Sequence, residues 1–81
     1  MSLQNEIRRT KLTNLEHNAK RLRMEIESLA KIICINLDCS LTKPEALDIA
    51  VLDSQWDELK NKWAELSVTL AEVAKLEDEL K

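Results

Sequence analysis

Glycine, phenylalanine and tyrosine are absent from this chain, and Pro44 is its single proline. Without glycine, tight hairpin turns lose their default residue, which disfavours a sheet fold stitched by short connections. Without Phe or Tyr, Trp56 and Trp63 are the only large aromatic side chains, too few for a base-stacking platform. No apolar run is longer than the four residues of Ile32 to Ile35, far short of the roughly 20 needed to cross a bilayer. The charged N-terminal stretch does not read as a signal peptide. Cysteine and histidine are too scarce and too scattered for a metal or redox signature. Cys34 and Cys39 are five apart with His17 far upstream, so Cys34 reads as a small apolar residue and Cys39 as a loop residue, in a reducing, cytoplasmic compartment.

What remains is helix. Leu, Ala, Glu and Lys dominate the 81 residues, a composition that implies one all-α domain. A chain of this size buries only about 60% of the surface that its unfolded form exposes, so help from self-association or a partner is expected.

Apolar residues recur at Leu12, Leu15, Ala19, Leu22, Ile26, Leu29 and Ile33, an unbroken alternation of three and four. That is a heptad stripe on one helix. Glu16 with Lys20 and Glu27 with Lys31 add ion pairs at the favourable spacing. A second stripe runs through Ile49, Leu52, Trp56, Leu59, Trp63, Leu66, Leu70, Val73 and Leu80, interrupted at Glu77. Between them Asn36, Asp38 and Ser40 mark a break. Thr42 as N-cap, Glu45 as its capping-box partner, Pro44 in the first turn and Leu41 stapled on Ala46 mark a new helix start.

The reading is a helix over 3–37, a loop over 38–42 and a helix over 43–80. Joined so closely, the two must pack as an antiparallel, coiled-coil-like hairpin. Trp56 and Trp63 are expected in its seam. Charge favours the same pairing: residues 1–37 carry seven Lys or Arg against four Glu, and residues 43–81 carry five Lys against ten acids. At the open end Arg8, Arg9 and Lys11 are expected near Glu72, Glu77, Asp78 and Glu79. The stripes leave the register open, because a slip of one heptad keeps both facing inward.

Each stripe leaves apolar residues over, most densely near the loop. Ile32, Ile35 and Leu37 on the first helix, with Leu47 and Val51 on the second, read as an association surface. Pairing two hairpins into a four-helix bundle, as a homodimer, or accepting a helix from another protein would cover it. Catalysis is not indicated. A hairpin offers no deep pocket for a nucleophile and its base, and Asp53, Asp57 and Glu58 read as a solvated acidic face lacking a loop-positioned further ligand. No cofactor or metal is implied, and the basic cluster at Arg8, Arg9 and Lys11 lies too near an acidic tail to read as a nucleic-acid patch.

Two resemblances bear on function. Ile49, Leu52, Trp56, Leu59, Leu66 and Leu70 resemble the last helix of a spectrin-type repeat, in which a Trp is followed three residues later by Leu; Ile26, Leu29 and Ile33 resemble the helix before it. Leu66 stands where that family has Arg, and the third helix is lacking, so the resemblance implies a scaffolding module completed from elsewhere. The segment Leu41 to Ile49 is similar to the start of the second helix of small sporulation-type aspartyl-phosphate phosphatases, hairpins that dock on response regulators. Ser54 and Gln55 match part of that family's motif, with Glu58 in its Asp position and Asp57 where Leu is expected.

Overall fold

The computed structural model describes residues 3–81, and its architecture is two long helices folded back on each other. Helix α1 spans Leu3–Asn36 and helix α2 spans Ile49–Glu79. They form an antiparallel hairpin, a rod of 63 × 16 × 15 Å.

The first heptad stripe lies where the periodicity puts it. Ala19, Leu22 and Leu29 are buried, and Leu12, Leu15, Ile26 and Ile33 are half-buried. Its three-four alternation continues into polar residues at both ends, to half-buried Arg8 and Asn36. Leu22, with no exposure at all, is the most enclosed side chain in the hairpin.

The second stripe divides. Leu52, Leu59, Leu66 and Val73 are half-buried against α1, as expected. Three residues on from each come Gln55, Lys62, Thr69 and Leu76, all buried or half-buried. Four residues on come Trp56, Trp63, Leu70 and Glu77, and all four are exposed. The expectation that the tryptophans fill the seam is therefore wrong: Trp56 is 52% and Trp63 63% exposed. The cause is the chemistry that meets Gln55 and Lys62 across the seam. Asn36 Nδ2 donates to Gln55 Oε1 at 3.0 Å, and Lys62 Nζ donates to Glu25 Oε2 at 3.0 Å. Rotating α2 to bury the indoles would break both bonds and bring Glu77 inward in place of Leu76. Thr69 is tolerated inside because its Oγ1 donates to Glu65 O one turn back at 2.9 Å.

These polar contacts also fix the register that the stripes leave open. Asn36–Gln55, Glu25–Lys62 and the Arg8–Glu79 ion pair at 3.6 Å form rungs at three levels of the rod. A one-heptad slip removes all of them while leaving leucine facing leucine.

The connection is longer than expected, and α2 begins at Ile49 rather than at residue 43. Pro44 explains the difference. In a capping box on Thr42, Lys43 would be the first helical residue, but a residue before proline is pushed to extended backbone, and Lys43 sits at φ −63°, ψ 145°. Pro44–Ala46 instead makes a single 3-10 turn, Leu47 is extended again, and Asp48 caps α2 through a side-chain bond accepted from Val51 N at 3.1 Å. Aspartate is also the better N-cap. Upstream, the Asp38 carboxylate accepts from Ser40 N at 2.9 Å and Ser40 Oγ at 2.6 Å, holding the chain as it leaves α1.

Three substitutions test this assignment by denaturation. Leu22→Ala should cost about 2–5 kcal/mol, as for a fully enclosed leucine. Asp48→Ala should cost about 1 kcal/mol, whereas Thr42→Ala should leave the midpoint almost unchanged, the reverse of what the capping-box reading requires.

Candidate interaction surface

With one seam to fill, the hairpin leaves a flank on either side of it. On one flank Ile26 and Ala30 of α1 meet Trp56, Leu59 and Trp63 of α2 around an open groove whose rim includes Lys60. Its lining is almost wholly apolar. Sequence reasoning missed this groove because it placed the indoles in the seam. The missed signal was that Leu52, Leu59, Leu66 and Val73 lead equally well to residues three or four positions on.

The five residues expected to associate beside the loop do not form one patch. Ile35, Leu47 and Val51 come together with Leu41 and Ala46 around a groove at the loop end. Ile32 lies further along that side, in a shallow depression shared with Met24, Glu58 and Lys62. Leu37 is 51% exposed and lines neither. The extended Leu47 is half-buried in the loop-end groove, so the late start of α2 is what assembles the cluster.

The open end is polar. Besides the Arg8–Glu79 pair, Lys11 shares a surface depression with Glu72, Lys75 and Glu79. His17, Cys34 and Cys39 are all exposed, and neither cysteine is in a disulfide. Among the described residues no group of three His, Cys, Asp or Glu could hold a metal, and no helix is long and apolar enough to cross a membrane. Of the phosphatase-like residues, Ser54 and Glu58 are exposed while Gln55 is turned into the seam toward Asn36.

Glu25 sits at the centre of a charged network that joins the two helices. Its two oxygens accept from Lys62 Nζ at 3.0 Å and Arg21 Nη1 at 2.9 Å, and Arg21 Nη2 donates onward to Asn18 Oδ1 at 2.6 Å. The Lys62 bond, then the Arg21 bond, hold the Glu25 carboxyl below its ordinary value. Ser40 does the same to Asp38, through its hydroxyl first and its backbone N–H second.

Both groups have depressed folded-state values, so the stability they add is fully present above the unfolded-state values of about 4 and is lost as pH falls through the folded-state values beneath. Thermal melts should therefore fall in this acid window, and Glu25→Gln should flatten part of the decline. An unchanged profile in that variant would show that the Glu25–Lys62 contact contributes nothing to the seam. No protein-family model matches this chain, and no curated protein or solved structure is significantly similar to it.

Proposed function

We propose that this chain is a non-enzymatic interaction module, a helical hairpin that self-associates and is completed as a four-helix bundle. One observation carries the reading. The apolar side chains buried between α1 and α2 are Ala19, Leu22, Leu29 and Leu76, while thirteen large hydrophobic side chains stand exposed among the described residues. A small soluble protein rarely leaves so much apolar surface in water without a use for it. At about 25 cal/mol per Å2, covering even ~400 Å2 would favour association by ~10 kcal/mol before its entropic costs. A second hairpin is the simplest cover, because four amphipathic helices can share one core where two cannot.

Two flanks of the seam are candidates for this surface. The loop-end flank offers Ile35, Leu47 and Val51, with Ile32 a turn back from Ile35; the other flank offers the tryptophans. A reducing, cytoplasmic setting suits the two exposed thiols, which would otherwise be open to oxidation.

Sedimentation equilibrium on the intact chain tests the reading. The expected mass is at least twice the 9.3 kDa of one chain, declining toward one chain on dilution. A single-chain mass at every concentration up to about 1 mM, where even weak pairs form, would reject self-association.

A further inference from the structure

Helix α2 carries a second seam that shares Leu52, Leu59 and Leu66 with the first and adds a row that α1 leaves exposed. Leu52, Leu59 and Leu66 belong to it together with Trp56, Trp63 and Leu70, in the same three-four alternation that builds the first. Exposure falls on one side of that stripe: Trp56 is 52%, Trp63 63% and Leu70 37% exposed. At the middle of the stripe α1 contributes Ala30, a residue small enough to let another helix approach. Beyond Leu70 the stripe passes through Val73 to Glu77, where its exposed row turns acidic.

We infer that this flank docks a second copy of the same chain, with the two α2 helices antiparallel across a two-fold axis that passes between residues 57 and 58. The inference rests on the self-association proposed above and specifies its face and register.

The geometry of the flank excludes a parallel pairing. Two rows of residues border the tryptophan stripe. The inner row is Gln55, Lys62 and Thr69, already turned to α1. The outer row is Asp53, Lys60 and Ser67, all exposed. A parallel pair would have to bring the outer row of one copy against the inner row of the other, which α1 covers. An antiparallel pair brings the free outer rows together and leaves both inner rows, each with its own α1, on the side where the two α1 helices meet as in a four-helix bundle.

Charge then selects the register. When Trp56 packs on Leu59 of the second copy and Trp63 on Leu52, Asp53 falls opposite Lys60 of the second copy, and symmetry repeats the pair. Slipping one heptad in one direction sets Lys60 against Lys60. Slipping in the other sets Asp53 against Asp53. Only the first register is attractive. In the lone hairpin Lys60 Nζ reaches Asp57 at 3.1 Å from a side chain 56% exposed, so turning it toward Asp53 of a second copy costs little.

The test combines sedimentation with tryptophan emission on the full chain. Wild type should dimerise with blue-shifted emission, and dilution should shift the emission red in step with the loss of mass. Trp56→Glu with Trp63→Glu should be monomeric yet keep its helical circular dichroism, since neither indole lies between α1 and α2. Asp53→Lys should weaken dimerisation by about tenfold, two attractive pairs having become repulsive. Adding Lys60→Asp to it should restore the wild-type constant. These two positions are exposed, so the charge swap decides the matter even if the tryptophan variant unfolds. Ile35→Glu with Val51→Glu, on the opposite flank, should leave the dimer intact. A wild-type dimer that this last variant dissociates, and that the charge reversal leaves alone, would overturn the tryptophan face while self-association stands. A wild-type monomer throughout would overturn both and leave the flank to a different helix.

Discussion

Hydrogen-bonded polar side chains inside a helix–helix seam constrain everything else in this molecule. Leucines on two amphipathic helices can interlock in several registers of nearly equal energy, and they do not resist a slip of seven residues. Glu25 with Lys62 and Asn36 with Gln55 do, because each group loses a specific partner if either helix slides or rolls. Desolvation offsets much of what such pairs gain, so their contribution lies more in selecting one arrangement than in adding stability. Once α2 is rolled to present Gln55 and Lys62, the positions of Trp56 and Trp63 on the outside follow from helical geometry alone.

The resulting core is thin. One seam along a rod 63 Å long and about 15 Å across leaves few side chains enclosed on all sides, and most of the stripe residues are only half-buried. Stability of a lone hairpin of this kind is marginal by nature. The same thinness keeps the proposed interaction surface available, since large apolar side chains that a globular core would have taken remain on the two flanks. Fold and proposed function thus share one cause, the shortage of partners for the apolar residues of two helices.

The hairpin itself was plain in the sequence. The heptad stripe from Leu12 to Ile33 names the buried face of α1 without error, because the rows beside it are polar over most of its length, from Lys11, Asn18 and Glu25 on one side to Glu16 and Arg23 on the other. On α2 the rows three and four residues on from Leu52, Leu59, Leu66 and Val73 are both usable, and hydropathy favours the wrong one. The choice was made by Asn36 and Glu25 on the other helix, information that the periodicity of one segment does not contain. The start of α2 was misplaced for a local reason: Thr42 and Glu45 have capping-box spacing, but the effect of Pro44 on Lys43 outweighs it. Of the loop-end residues, Ile35, Leu47 and Val51 line one groove and Ile32, a turn back from Ile35, lines the depression beside it, while Leu37 lines neither.

The three polar rungs are spaced along the rod at sequence separations of 19, 37 and 71 residues. Each step roughly doubles the loop to be closed, which adds only about 0.6 kcal/mol of closure entropy per rung if the rungs form independently. Formed in order from the connection outward, each later rung closes only the helical stretches between it and the rung before, rather than the whole loop. The hairpin is in effect a zipper whose teeth engage from the Asn36–Gln55 end, and the Arg8–Glu79 end is the last to close and the first to fray.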